Sequence, residues 1–345
     1  MKGDLQRYSR QMALRQFGEA AQERLSRARV VLVGCGAIGS VLAYYLAAAG
    51  IGRLRIVDRD TVEENNLQRQ LLFDERDVHR GLPKAVAAKA HLRRVNSAVK
   101  IEAVVADLDA GNAARHLAGA DLLLDGTDNL ETRFLINDFS VREGLPWIYC
   151  GIVGVFGHTM VIQPGAGPCL RCYLPEPPAA GDLPSCESEG IAGPVAAVTA
   201  GTAAFNALRL LAGHGAGLAG RMAMYDCWEG SLDDVRVDRR PGCPTCSQRR
   251  FSYLEGSSGS RATALCGRQA VQVWAATESA APKPPCFEEL ARRLARQGQV
   301  SFNKYVLQFR TDRFEISLFT DARAIVKGTA DPAVARSLYA RYIGT

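Results

Sequence analysis

Two cysteine pairs, Cys169-Leu-Arg-Cys172 and Cys243-Pro-Thr-Cys246, carry the strongest chemical signal in this chain of 345 residues. A C-x-x-C knuckle presents two thiolates on one tight turn, and two knuckles supply the four soft ligands of a tetrahedral Zn²⁺. A redox dithiol and unrelated core cysteines are the competing readings. The second signal is Gly34-Cys-Gly36-Ala37-Ile-Gly39, which fits G-x-G-x-x-G and stands where a strand gives way to a helix. There the backbone N–H groups and the helix terminus can approach a nucleotide phosphate. Asp58 follows about 20 residues on, the position from which an acid holds a ribose. NAD and other nucleotides both remain open at this point, as do glycines that serve only helix–strand packing.

The residues that follow depart from a dehydrogenase. Asp58-Arg-Asp60 and Asn66-Leu-Gln-Arg69-Gln70 concentrate amide and guanidinium donors just past the ribose-binding position, where a triphosphate can be gripped. Lys84 adds a compact cation at a predicted helix N-terminus. Asp125-Gly-Thr-Asp128-Asn129 ends another strand, and its carboxylates suit Mg²⁺. Singly, each reads as a solvated charge or a turn residue. Together they fall on one sheet edge, the carboxyl edge at which open α/β sheets bind ligands.

The elements that must position these residues alternate strand and helix. Arg29–Val33, a helix over Ala37–Ala49 and Arg53–Val57 form a βαβ unit, which implies parallel pairing. Helices over 83–95, 110–117 and 131–143 and strands over 100–105, 121–124 and 147–150 continue it. Segments 153–164 and 222–237 read as antiparallel additions, and 172–193 as a long irregular loop. Ser252–Ser260 has linker composition, so the chain is divided into a nucleotide-binding domain (1–250), a linker (251–262) and a small domain (263–345). In the last, strands over 264–274, 305–310, 313–319 and 322–326 accompany a helix over 287–296 and a final helix capped by Asp331 and opened by Pro332. The fold class is thus α/β, a Rossmann-like doubly wound mixed sheet with a small C-terminal α+β domain.

Composition sets the outer bounds. With 47% hydrophobic and 23% charged residues the chain is globular. The net charge of +6 is too small to argue for nucleic acid. The apolar run over 192–211 is broken by glycine, proline, asparagine and arginine, which argues against a membrane span. The amino terminus lacks a signal-like apolar core, so a cytoplasmic location is expected, and ten cysteines in that compartment favour metal or thiol chemistry over disulfides. Cys35, Cys150 and Cys227 are read as small core residues.

Arg7-Tyr-Ser-Arg10-Gln, the glycine loop, Asp58-x-Asp60, Asn66-Leu-Gln-Arg69-Gln70, Gly81-x-Pro-Lys84, Asp125-Gly-Thr-Asp128-Asn129 and both cysteine pairs, in this order, resemble the ThiF/MoeB/HesA family of E1-like activating enzymes from Arg7 to Cys246. The resemblance implies that ATP with Mg²⁺, and not NAD, occupies the glycine loop. It implies as substrate the C-terminal glycine carboxylate of a small ubiquitin-fold sulfur carrier of the ThiS/MoaD type. That carboxylate attacks the α-phosphate, pyrophosphate leaves, and the acyl-adenylate awaits a sulfur donor such as a cysteine desulfurase or rhodanese. By the same resemblance Asp58 binds ribose, Asn66, Arg69 and Lys84 hold phosphates, and Asp128 binds Mg²⁺. Gly34, Gly36, Ala37, Gly39, Asp60, Gln70 and Asn129 complete the cradle, and Arg10 arrives from the other subunit of a homodimer. Ala37 replaces a glycine of some relatives, which is tolerable where only the backbone is used.

Cys186 aligns with a reactive cysteine of some members, although two neighbouring glutamates would raise its pKa. Cys266 is a second candidate thiol, with a buried strand cysteine as the plainer reading. The C-terminal domain is expected to bind the carrier or another partner. A relative acting on tRNA or a peptide, and a non-catalytic carrier-binding scaffold, are the alternatives.

Overall fold

The structure, a computed structural model, describes residues 5–177, 189–256, 269–273 and 285–343. It divides into two compact units, one of Met1–Glu75 with Lys84–Gly259 and one of Arg76–Pro83 with Ser260–Thr345.

The first unit is built on one sheet of β1 (Arg29–Val33), β2 (Arg53–Asp58), β3 (Lys100–Val105), β4 (Leu122–Asp125), β5 (Trp147–Val153), β6 (Phe156–Ile162), β7 (Arg221–Asp226) and β8 (Ser231–Arg236). Its order is β3-β2-β1-β4-β5-β6-β7-β8. The pairs from β3 to β5 are parallel, and β6, β7 and β8 add antiparallel. The doubly wound mixed sheet expected from the βαβ pattern is therefore present. The central strands are apolar runs because both faces are covered; Leu32, Leu54 and Leu124 have no exposed surface.

Chain direction along the sheet reverses between β1 and β4, which opens a crevice at their carboxyl ends. Register fixes what lines it. Val33 pairs with Val57 on one side and Asp125 on the other, so Gly34 and Gly126 leave the sheet beside Asp58, the last residue of β2. The Ala37–Ala49 helix starts in this crevice and ends at Gly50, whose φ of +80° makes a left-handed cap. The Gly193–Leu211 helix lays an alanine face, Ala196, Ala200, Ala203 and Ala207, against it and against β5 and β6. It is the one helix among the described residues long and apolar enough to cross a membrane, and that small-residue face is packed against protein.

Some boundaries move. The helix read over 110–117 begins at Ala113, because Asp109 and Asn112 exchange side-chain-to-backbone bonds of 2.9 and 3.1 Å ahead of it. Phe251 and Leu254 are buried in the first unit's core and the Tyr253 N–H donates to Asp138 at 3.0 Å, so these residues pack despite their linker-like neighbours. Segment 178–188, with Cys186, and segment 257–268, with Cys266, lie outside the described residues.

The second unit is an antiparallel sheet of β9 (Ala270–Val273), β10 (Gln299–Phe302), β11 (Val306–Arg310), β12 (Glu315–Phe319) and β13 (Ala324–Lys327), ordered β10-β11-β12-β13-β9. Val271, Phe309, Leu318 and Val326 on one face pack with Leu294 and Leu338 of the Phe287–Leu294 and Pro332–Tyr342 helices. This is the α+β module the pattern implied, with Asp331 accepting the Ala333 N–H at 2.7 Å as cap. The strand β10 was not legible in the sequence, since its pattern is short and mostly exposed.

Candidate nucleotide site and metal centre

Each glycine of the loop has its own reason to lack a side chain. A Cβ on Gly39 would sit 2.1 Å from the Gly34 carbonyl oxygen, and one on Gly126 would sit 2.4 Å from that same oxygen. Gly34 has φ +83° and would collide with Gly126. These three let β1, β4 and the helix start converge. Gly36 differs, because among the described residues the atom nearest its Cβ position, Gln70 Nε2, is 3.8 Å away. Its bareness serves approach from outside the chain.

Asp58 is 7% exposed and closes the loop from the β2 side, accepting the Cys35 N–H at 2.6 Å and the Asp60 N–H at 2.8 Å. Burial lifts its pKa above the ordinary carboxylate value, Lys84 opposes that, and Asp60 adds to it. The Lys84 ammonium meets Asp60 at 3.0 Å with 5% of the side chain exposed, and the Lys84 N–H donates to the Asp60 carbonyl at 2.9 Å. Arg59 reaches Asp107 at 3.0 Å and Asp60 at 3.8 Å. Asp60 thus sits between two cations and orients them. Arg69 is half-buried and donates to the Asn65 carbonyl at 2.6 Å. Asn66 and Gln70 are 1% and 3% exposed, and among the described residues Asn66 Oδ1 and Gln70 Oε1 have no hydrogen-bond partner. Unsatisfied buried acceptors are costly. Placed around an open glycine and two cations, they fit a ligand with both donors and anionic oxygens, as a nucleotide has.

The β4 side carries a buried clamp that the motifs did not reveal. Asp125 has no exposed surface; one oxygen accepts the Thr127 N–H and hydroxyl at 2.8 and 2.7 Å, the other Arg133 Nε at 3.0 Å and the Cys150 N–H at 3.3 Å. Arg133 Nη2 in turn donates to the Thr127 and Cys150 carbonyls at 2.7 and 2.9 Å. The loop holding Asp128 is therefore stapled to the end of β4 and to the middle of β5. Asp128 itself is exposed and within electrostatic reach of Arg59 and Arg133. A signal for Arg133 existed: it is a cation in the first turn of the Leu130–Glu143 helix, where the dipole disfavours one. Asn129, expected to touch nucleotide, caps this helix by accepting the Thr132 N–H at 2.8 Å.

Arg10 stands apart from the other site residues. Tyr8 packs on Gly50, the Asn96 amide donates to its hydroxyl at 2.8 Å, and Gln11 donates to the Ala49 carbonyl at 3.3 Å. This anchors the exposed Arg10 near the far end of the Ala37–Ala49 helix, 13 residues or about 20 Å from the loop at its start.

The four knuckle cysteines converge. Their sulfurs lie within 4.8 Å of one another, with 3.6 Å from Cys169 to Cys243 and 3.5 Å from Cys172 to Cys246. Zinc–thiolate bonds of about 2.3 Å require sulfur separations of about 3.8 Å, so the set fits a tetrahedral ion. The Arg240 N–H donates to Cys172 Sγ at 3.3 Å. Cys35 and Cys150 are buried as expected, whereas Cys227 is exposed just after β7, a correction to its reading as core.

The ThiF family model matches residues 8–245. Over 341 residues, 98% of this chain and 99% of the relative, the protein is 38% identical to a sulfur carrier protein ThiS adenylyltransferase of Bacillus subtilis. It is 42% identical over 270 residues to a sulfur carrier protein adenylyltransferase of Thermus thermophilus, covering 75% of this chain and 98% of that one. Among solved structures, Escherichia coli MccB with ATP aligns at a TM-score of 0.62 and 25% identity over 70% of this chain and 74% of its own. The chain belongs to the ThiF family and is an E1-like adenylyltransferase.

Proposed function

We propose that the protein adenylates the C-terminal glycine carboxylate of a small ubiquitin-fold sulfur carrier. The observation that carries this is the crevice at the β1–β4 switch, where the open Gly36, the unpartnered acceptors of Asn66 and Gln70, the oriented Lys84 and Asp58 converge. Asp58 is placed to accept ribose hydroxyls, Lys84 and Arg69 to hold phosphate oxygens. Attack by the carrier carboxylate on the α-phosphate expels pyrophosphate. The chain's part is orientation and charge stabilisation, which requires no protein nucleophile. Asp128 would hold Mg²⁺, which neutralises phosphate charge when bound, and the four knuckle cysteines would hold a structural Zn²⁺. The names of the relatives matching nearly full length favour a carrier substrate over a tRNA or a free peptide.

A homodimer is part of the proposal. Tyr44 and Tyr45 on the Ala37–Ala49 helix, and Val198 and Phe205 on the packed Gly193–Leu211 helix, are 41% to 53% exposed and suit burial against a second copy. Arg10, remote from its own glycine loop, would act in the partner's site. The test of the whole reading is ATP–pyrophosphate exchange with a carrier ending in a free Gly-Gly. Arg69→Ala and Asp128→Ala should each lower exchange by about two orders of magnitude or more without unfolding, since neither is core. Exchange that is indifferent to both, or preference for NAD over ATP, would sink it.

A further inference from the structure

We infer that Asn137 and Asp138, adjacent residues of the Leu130–Glu143 helix, are positioning residues for the metal centre, each gripping one cysteine knuckle at a residue between its ligands. The inference rests on the proposed reading of the four cysteines as Zn²⁺ ligands. The knuckles stand 74 positions apart in the chain, so the fold must bring their sulfurs together. Every residue of this helix from Phe134 to Val141 is buried, Asn137 and Asp138 with no exposed surface. Polar groups in such a place are costly unless they are partnered, so the partners they have define their role.

Asn137 Oδ1 accepts the Leu170 N–H at 2.8 Å, inside Cys169-Leu-Arg-Cys172. Its Nδ2 has no partner among the described residues, so the acceptor is the part of the amide in use. Asp138 Oδ1 accepts the Thr245 hydroxyl at 3.0 Å, inside Cys243-Pro-Thr-Cys246, and Thr245 is itself without exposed surface. Asp138 Oδ2 accepts the Tyr253 N–H at 3.0 Å, which fixes the carboxylate from the segment that follows the second knuckle. The same carboxylate is within electrostatic reach of Arg171 in the first. Consecutive helix residues rise about 1.5 Å along one axis, so two knuckles bonded to them are held in register with one another. The helix is in turn fixed to the sheet, since Arg133, one turn before Asn137, binds Asp125 and the Cys150 carbonyl. Ligands already held near the separation an ion needs lose little freedom when it binds, and that is how residues behind the ligands raise metal affinity.

Thr245→Val removes the hydroxyl while keeping the side-chain shape and all four sulfurs, and Asn137→Leu removes the acceptor from the other knuckle. Zinc affinity of the full-length protein, measured by competition with a chromophoric chelator, should fall about tenfold or more in each, and Thr245→Ser should restore it. Calorimetric unfolding with and without the chelator separates positioning from plain stability. In each variant the gap between those two unfolding temperatures should narrow, because the gap is what metal binding contributes. Wild-type zinc affinity in either variant, or an unfolding temperature lowered equally with and without the chelator, overturns the inference. A wild-type protein that takes up no zinc instead overturns the metal reading beneath it. Should Asn137→Leu fail to fold, Thr245→Val and Thr245→Ser carry the same test with the same outcomes.

Discussion

At the scale of single residues, the site is governed by how its charges are paired. Asp60 holds Lys84 and leans on Arg59, and Asp125 holds Arg133, so each of these three cations is paired with an acid before any phosphate arrives. Removing one member of a buried pair leaves the other uncompensated. Arg133→Met should therefore destabilise the fold by about 3 to 5 kcal/mol and weaken exchange, whereas Thr127→Val, which removes one acceptor-directed hydroxyl, should cost about 1 kcal/mol. Denaturant unfolding separates them, and equal losses would show that the clamp does not depend on the ion pair. Beside the clamp, His158 receives or donates one bond with the Tyr149 hydroxyl at 2.9 Å, and burial with the Arg133 charge pushes its pKa from 6.5 down to about 4. The folded protein then resists a proton that the unfolded chain accepts, so stability present above pH 6.5 is lost as pH falls toward 4. His158→Gln should flatten that acid limb in thermal unfolding measured across the window; an unchanged slope would place the acid sensitivity elsewhere. Residues that act through spacing, such as Gly34, Asp58 and the cysteine pairs, were legible in the sequence. Arg133 was legible only as a cation in a helix's first turn, because the carboxylate and carbonyls it holds are brought to it by the fold.

Elements explain why so much of the crevice could be read. A strand that ends in Val33 and pairs in register with strands ending in Asp58 and Asp125 places every loop of interest at one edge, so the βαβ alternation located the site before any contact was known. Antiparallel β7 and β8 read as one span over 222–237 and the short β10 not at all, since strands with exposed residues lack the continuous apolar run that marks β1 or β4. The four-cysteine cluster joins the segments that follow two antiparallel strands. Cys169 and Cys172 follow β6, Cys243 and Cys246 follow β8, and Cys169 and Cys243 are fully buried in the core cluster with Leu170 and Trp147. One metal per chain is expected at this set. Cys243→Ser should release it and lower the unfolding temperature, because a metal bound there would contribute to the folding free energy. Zinc content by elemental analysis, alongside calorimetric unfolding with and without a chelator, tests this. A metal-free protein of unaltered stability would return the cysteines to ordinary packing.

For the whole molecule, the question is whether one chain contains a complete site. Lys84, Asp58 and the glycine loop belong to one end of the Ala37–Ala49 helix, and Arg10 is tied near the other by Tyr8, Asn96 and Gln11. A long arginine side chain spans several ångströms, which is too short for a helix of about 20 Å. In the proposed homodimer the exposed Tyr44, Tyr45, Val198 and Phe205 would form an isologous surface through which a second copy brings its own Arg10 to the crevice, as two-fold symmetry requires of both sites at once. Complementation decides it. Arg10→Ala and Lys84→Met homodimers should each be nearly inactive in exchange, whatever the origin of the arginine. Mixed and allowed to re-equilibrate, they form heterodimers in which the Arg10→Ala chain keeps Lys84 and receives Arg10 from its partner. Half of all dimers would then carry one intact site of two, restoring about a quarter of wild-type activity if pairing is random. An arginine acting within its own chain predicts no recovery at all, since every heterodimer site would then lack one residue or the other. Phe205→Asp, placed on the shared surface and away from the crevice, should abolish the recovery by preventing the exchange of partners, with light scattering reporting a monomer.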